Sequence, residues 1–173
     1  MKKFPLVIFI VVGIVAGVSI PNYLQYKKKA EVEPFRAALA GYLSIWNQNV
    51  SAMPAPAEPY LAGKALIVNL DGGEIDQLHY SLPENIKASS PDDLRSVVFV
   101  KCWTEKYGLY TGGVTAFSHI CEIAAYDTAR SQLSFKDRVT RDPPASIEAG
   151  SSGIAERPDS EMLKLLTSMP IRS

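Results

Sequence analysis

The chain has 173 residues, of which 18 are Lys or Arg and 18 are Asp or Glu, so its formal net charge is zero. That length suits one folded domain in addition to a membrane segment. Its longest run of positive charge is Lys27–Lys29, whereas nucleic-acid binding needs a larger basic surface, so the composition argues against a nucleic-acid partner.

An apolar stretch without a charged residue runs from Phe4 to Ile20. As a helix it would span about 25 Å, and residues up to Tyr26 would extend it across the ~30 Å hydrocarbon core of a bilayer. Pro21 is tolerable because membrane helices accommodate proline. We therefore predict that residues 1–29 form a transmembrane signal-anchor with a basic flank. The predicted interface residues are the lysines and tyrosines at its two ends: Lys2, Lys3, Tyr23, Tyr26, Lys27, Lys28 and Lys29.

A cleavable secretory signal is the alternative interpretation of this stretch. Lys2 and Lys3 form a positive n-region, and the apolar residues that follow form an h-region. Gly17 and Ser19 are small residues at the positions required for cleavage before Ile20, although no Ala-x-Ala motif is present. Both interpretations place the chain at a membrane or beyond it.

Residues 30–50 are predicted to form an amphipathic helix. Pro34 falls near the first turn of this predicted helix, where proline is tolerated. Alanines and Gly41 make one side of the helix thin. We expect the apolar face to pack on the following domain, and this helix is also the candidate surface for a protein partner. The apolar residues recur at steps of three and four: Val32, Phe35, Leu39, Tyr42, Leu43, Trp46 and Val50.

The remainder of the chain is predicted to be a proline-rich linker and a β-rich domain. Prolines recur through residues 51–59, which should therefore be extended. Residues 60–173 should form a small antiparallel sheet and a short C-terminal helix, giving an α+β fold after the N-terminal helix. The predicted strands are 64–70, 75–82, 97–107, 116–126 and 132–139, with a helical turn at 90–94 capped by Ser90 and a helix at 159–168 capped by Asp159 or Ser160.

Cys102 and Cys121 are predicted to form a disulfide across an antiparallel hairpin. If the two cysteines face each other, the turn is centred at 111–112, where glycine allows positive φ. The same register places Lys101 opposite Glu122, a favourable cross-strand pair. Two free buried cysteines are the alternative. A disulfide requires an oxidising compartment.

The disulfide also determines the predicted topology, because the lysines on the two sides of the apolar stretch are nearly balanced. We expect a single-pass protein of the bacterial inner membrane. Its N-terminus would be cytoplasmic, and its C-terminal domain would lie in the periplasm or at the cell exterior. The bilayer itself is then the first partner of this chain.

No pattern in the sequence predicts a catalytic centre, a metal site or a cofactor. A zinc site needs three or four spaced ligands, whereas His79 and His119 lie far apart and no Cys-x-x-Cys occurs. The acidic residues of 71–76 lack the ligand spacing of a calcium loop. If the chain were an enzyme, His119 would act as general base beside Glu105 and Ser118. We predict instead a binding or structural module.

The organisation of the chain resembles that of type IV pilins and pseudopilins, chiefly over about the first 50 residues. The matching features are the apolar helix, its exit Ile20-Pro21-Asn22-Tyr23-Leu24-Gln25-Tyr26, the amphipathic helix 30–50 and a β-rich head with a cysteine pair. In that family the helix is both anchor and assembly core, and the head is exposed. The resemblance implies a filament subunit as an alternative function. Two features depart from the family: Lys3 replaces the glycine before the mature N-terminus, and no acid precedes Glu31.

Overall fold

The computed structural model describes Tyr23 and residues 26–50, 52–147 and 153–172. The predicted membrane segment 4–20, with Lys2 and Lys3, lies outside these residues. Among the described residues, no helix combines the length and apolar character needed to cross a bilayer.

The described residues contain one sheet of five strands in the order β2-β1-β3-β4-β5. β1 and β3 are parallel, whereas every other neighbouring pair is antiparallel. The α+β class is therefore confirmed, but the purely antiparallel sheet is wrong. The reason is that residues 76–93 carry the chain back to the end of the sheet where β1 began, so β3 runs in the same direction as β1. The strands are β1 (Lys64–Asn69), β2 (Glu74–Ile75), β3 (Leu94–Leu109), β4 (Thr115–Asp127) and β5 (Gln132–Arg141).

β3 and β4 are the longest strands, with 16 and 13 residues. Consecutive residues 97–100 of β3 are all buried, as expected for a central strand that is covered on both faces. Beyond residue 102 most of β3 is exposed, because the hairpin continues past the covered part of the sheet. The two central strands therefore supply both the core and a projecting arm.

Two helical elements cover one face of the sheet. α3 (Asp159–Ser168) and the 3₁₀ helix Gln77–Ser81 lie on this face. Met162 and Leu166 of α3 are buried in the same apolar cluster as Cys121 and neighbouring strand residues. α3 has the predicted bounds, but its N-cap is Pro158, whose side chain has no hydrogen-bond acceptor, so neither Asp159 nor Ser160 acts as the cap.

The N-terminal helical segment covers the opposite face. It consists of α1 (residues 26–32), the 3₁₀ turn Glu33–Phe35, α2 (Leu39–Ile45) and the π-helical turn Trp46–Val50. Phe35 and Val50 are fully buried in the second apolar cluster, which they share with strand residues such as Phe99.

The helix predicted over residues 30–50 begins earlier and is interrupted, since the chain is already helical at residue 26 and a turn separates α1 from α2. Pro34 then lies in the interior of the helix, where its ring and its missing N–H disrupt the α-helical hydrogen bonds. The chain passes through a 3₁₀ turn at Glu33–Phe35 before α2 resumes.

Glu31 and Lys87 hold α1 on the sheet domain. The Glu31 carboxylate lies 2.8 Å from the Lys87 ammonium, which also lies 2.8 Å from the Glu84 carboxylate. The Lys87 residue is only 9% exposed, so this contact is shielded from solvent. The proline-rich segment follows the packed helix, and its described residues 52–59 form neither helix nor strand.

Two local predictions fail because acidic side chains bind nearby backbone N–H groups. The predicted strand 75–82 ends after Ile75, since the Asp76 carboxylate accepts the Leu78 N–H at 2.9 Å and caps a 3₁₀ helix. At 90–94, Ser90 does not act as the cap. The Asp93 carboxylate instead accepts the Ser90 N–H at 3.0 Å and forms a turn.

His79 is a fully buried histidine at the boundary between the N-terminal helix and the sheet domain. Its ring meets the Phe35 ring edge-on, with the centroids 6.3 Å apart. Neither ring nitrogen has a hydrogen-bond partner among the residues that the structure describes. Burial lowers the pKa of His79 to about 4, and the nearby Glu31 carboxylate offsets only part of that effect.

We expect the free energy of unfolding to fall as the pH drops from about 6.5 to about 4. The unfolded histidine takes up a proton near its ordinary pKa of 6.5, whereas the folded one does so only near 4. The unfolded state therefore binds more protons in this window, and the loss should be on the order of 3 kcal/mol. Urea denaturation of the wild type and of His79→Leu across this window measures it. The variant should show the smaller slope, and equal slopes would contradict the assignment.

Candidate functional site

The β3–β4 hairpin has the register that the sequence predicts through most of its length. Cys102 pairs with Cys121, and Lys101 pairs with Glu122. The Glu122 carboxylate forms its ion pair with Lys136 on β5, at 3.4 Å. A bulge at Lys106–Gly108 shifts the pairing near the tip, so the turn lies at residues 111–113.

The predicted disulfide between Cys102 and Cys121 is confirmed. The two Cα atoms are 4.1 Å apart across the adjacent strands. Cys121 is fully buried, whereas Cys102 is half-buried at the edge of the core beneath α3. The disulfide therefore joins the hairpin at the boundary between the covered sheet and the projecting arm.

His119 lies beside the disulfide on the same face of the sheet. It is two residues before Cys121 on β4, and side chains two apart on a strand share a face. His119, Cys102 and Cys121 each offer one atom that could bind a metal. These three atoms lie within 4.8 Å of one another. The two-residue spacing of His119 and Cys121 shows from the sequence that these two side chains share a face. That Cys102 joins them follows only from the pairing of β3 with β4.

Glu105 and Ser118 are not part of this cluster. Ser118 precedes His119 on β4 and pairs with Glu105, so both project from the other face. The Trp103 indole N–H donates to the Glu105 carboxylate at 2.9 Å, and the Ser118 hydroxyl donates to Asp142 at 3.1 Å. The structure therefore does not bring together the three residues that an enzyme reading of the sequence would require.

Residues 153–155 lie against the hairpin beyond the end of β5. The Phe117 N–H donates to the Gly153 carbonyl at 2.8 Å, and the Ala155 N–H donates to the Phe117 carbonyl at 2.9 Å. A Cβ atom at Gly153 would lie 2.2 Å from the Thr115 carbonyl oxygen, so this approach requires glycine. The same segment places the Ala155 carbonyl oxygen 3.3 Å from Nδ1 of His119.

Arg141 connects the end of β5 to the first turn of α3. Its guanidinium donates to the Glu161 carboxylate at 2.7 Å and to the Ser160 hydroxyl at 2.9 Å. The hydrogen bond from Arg141, and after it the one that the Ser160 hydroxyl donates to Glu161, lower the pKa of Glu161 to about 2. Arg141 is also the β5 partner of His119 in the register, so the positive charge near the histidine is already paired with an acid.

The tip of the hairpin exposes large apolar side chains. Tyr107 is 63% exposed, Leu109 is 65% exposed and Val114 is 42% exposed. The Tyr110 hydroxyl donates to the Pro144 carbonyl at 2.7 Å, which fixes the tip against the loop after β5. The exposed apolar surface at the end of the hairpin is therefore fixed in position by the loop after β5.

The described residues of the predicted membrane interface lie at the start of the helical segment. Tyr23 and Tyr26 are 65% and 72% exposed, and Lys27–Lys29 are exposed as well. The Lys28 ammonium lies 5.1 Å from the centre of the Tyr80 ring. These tyrosines and lysines are therefore exposed at the start of the described helical segment.

The chain matches no protein-family model, no curated protein and no solved structure. Function is therefore inferred from the residues of the hairpin and of the N-terminal segment. The disulfide, the adjacent histidine and the apolar tip are the chemically distinctive features of the hairpin.

Removing the disulfide with Cys102→Ala and Cys121→Ala together should lower the free energy of unfolding by about 3 kcal/mol. The bond closes a loop with a sequence separation of 19 residues, which restricts the unfolded chain. Urea denaturation with and without reductant measures the effect. Reductant should destabilise the wild type and leave the double variant unchanged. An unreduced wild type with two alkylatable thiols would contradict the disulfide.

Proposed function

We propose that the chain is a membrane-anchored, extracytoplasmic module that binds a protein partner through the tip of the β3–β4 hairpin. The observation that carries the proposal is the exposed apolar tip of the hairpin, whose two strands a disulfide joins at the base of the projecting arm. The anchor is the apolar stretch 4–20, and the head is the sheet domain with its two helical layers.

The disulfide supports the extracytoplasmic location of the head. Cys102 and Cys121 pair within the folded sheet, and stable disulfides of this kind are typical of oxidising compartments. Such a head requires the N-terminus to remain on the cytoplasmic side of the bacterial inner membrane. The exposed lysines 27–29 then lie beside the lipid headgroups, where positive charge is favourable.

The packed N-terminal helix supports a fixed position of the head relative to the membrane. α1 follows the apolar stretch, and the Glu31–Lys87 ion pair joins it to the sheet domain. Phe35 adds a fully buried aromatic contact close to this ion pair in sequence. An anchor that continues into a packed helix would present the hairpin at a defined height above the bilayer.

The chemistry of the tip supports a protein partner. Tyr107, Leu109 and Val114 are exposed together around one turn. Tyrosine is enriched in protein interfaces, and large exposed apolar patches mark interaction sites. The disulfide and the Tyr110–Pro144 hydrogen bond hold the arm before binding, which reduces the entropy lost when a partner docks.

A photo-crosslinking amino acid in place of Leu109 tests the tip. In intact cells it should give one discrete cross-linked adduct, because the tip lies in the interface. The matched control places the same group at Ile171, which is also exposed but pairs with Leu61 away from the hairpin. The adduct should disappear when Tyr107→Ser is added. Equal adducts from both positions, or an adduct that survives Tyr107→Ser, would contradict the proposal.

Membrane fractionation combined with intact mass measurement tests the anchor. Full-length protein that stays in the membrane after alkaline-carbonate extraction is the expected result. A soluble protein cleaved near Ser19 would instead show that the stretch is a removed secretory signal. Full-length protein released into the supernatant would contradict both readings.

A pilin-like filament subunit is the second candidate function. One observation favours it: Ala40 and Gly41 of α2 are exposed, as is Ala37 in the turn before it, whereas the apolar side chains of α2 pack against the sheet. Small residues allow the backbones of neighbouring helices to approach closely. This helix would then pack against those of other copies. In the same mass measurement, loss of only the first few residues, leaving Phe4 or a nearby residue at the N-terminus, would favour this function over the tethered module.

A further inference from the structure

We propose that Cys102, Cys121 and His119 form a zinc-binding site when the disulfide is reduced. The reduced pair supplies two thiolate sulfurs, and the histidine supplies one ring nitrogen. Two cysteines and one histidine are a donor set that Zn²⁺ prefers, and three protein donors leave the fourth position to water. The site is separate from the hairpin tip, so it does not depend on the proposed binding surface.

The spacing of the donor atoms supports the site. All three potential ligand atoms lie within 4.8 Å of one another in the oxidised protein. Donors around a tetrahedral zinc ion are separated by roughly 3.5–3.8 Å, given zinc bonds of about 2.0–2.3 Å. When the sulfur–sulfur bond opens, the two sulfur atoms separate to non-bonded distance while their Cα atoms stay on paired strands. Small side-chain rotations then suffice to place a metal between the three donors.

The three donor side chains stand on strands whose backbones are fixed by the hydrogen bonds of the sheet. Cys102 and Cys121 are register partners on the two central strands, and His119 lies on the same face as both. Sites built on strands keep their geometry better than sites built on loops. Cys121 is fully buried, whereas Cys102 and His119 are half-buried, so a metal ion would be shielded yet reachable from solvent.

The Ala155 carbonyl provides the second contact that metal-binding histidines usually have. It lies 3.3 Å from Nδ1 of His119. A proton held on Nδ1 by this carbonyl leaves the lone pair on Nε2 for a ligand bond. The segment that carries Ala155 is itself fixed by two backbone hydrogen bonds to Phe117.

Reduction and metal binding are chemically balanced steps. A dithiol reductant gives two electrons and two protons to the Cys102–Cys121 bond, which becomes two thiols, and the reductant leaves as its own disulfide. Zn²⁺ then displaces the thiol protons and binds the thiolates. The oxidised sulfurs are not thiolates, so the disulfide and the metal exclude each other. The hairpin would thus hold either a covalent bond or a metal ion at the same place.

Cobalt titration of the full-length protein in detergent tests this site. The protein is reduced with a phosphine, desalted without oxygen and titrated with Co²⁺, and Zn²⁺ is then added in competition. We expect one Co²⁺ per chain with the visible bands of tetrahedral thiolate coordination, displaced by Zn²⁺. The oxidised protein should give no such bands. His119→Ala should weaken Zn²⁺ binding at least about tenfold, because even the loss of a second contact costs about 10- to 100-fold.

Two variants and one measurement separate the metal site from general effects. His119→Cys places a thiolate where the wild type has the imidazole, so it keeps three protein donors and should retain tetrahedral Co²⁺ binding. Thr104→Ala, at the exposed register partner of His119, should bind Co²⁺ as the wild type does. Circular dichroism should show that the reduced protein keeps its sheet. Loss of the sheet on reduction, unchanged affinity in His119→Ala, or equal bands in the Cys102→Ala, Cys121→Ala variant would each overturn the proposal.

Discussion

The pairing of β3 with β4 is the constraint on which the other features of the molecule depend. Side chains alternate between faces along a strand, so a slip of one residue would turn every paired side chain to the wrong layer. The observed register sends Phe99 towards the N-terminal helix and Ile123 towards α3. It also brings Cys102 opposite Cys121. Core, disulfide and projecting arm are therefore consequences of a single alignment.

The N-terminal helix is the second structural element with functional consequences. Pro34 divides it, and the fully buried Phe35 and the Glu31–Lys87 ion pair fasten the two parts to the sheet. The same junction encloses His79, whose ring has no hydrogen-bond partner in the described part of the chain. A helix this short would be only marginally stable in isolation, so its packing on the sheet supplies most of its stability. The helical segment from residue 26 and the sheet domain are thus joined by packing, in addition to the proline-rich residues that connect them in sequence.

Local patterns were sufficient for most of the strands and for the hairpin, and insufficient where distant residues meet. Two cysteines, a glycine-containing turn and an opposite-charge pair agreed on one register, which is why the disulfide was predictable. The parallel pairing of β1 with β3 was not predictable in this way, because it depends on how residues 76–93 cross the molecule. The same limit applied to Asp76 and Asp93, whose carboxylates compete for backbone N–H groups.

The sequence by itself determined the apolar N-terminal stretch, the α+β class, the positions of four of the five strands and the Cys102–Cys121 pairing. Periodicity and turn chemistry are local properties, and they suffice for these features. Only the tertiary structure decided which residues share a face across different strands. It separated His119 from Glu105 and Ser118 and placed it beside both sulfurs, since side-chain direction follows the strand register. It likewise decided which strand residues the apolar face of the helix packs against, because burial depends on what the rest of the chain leaves uncovered.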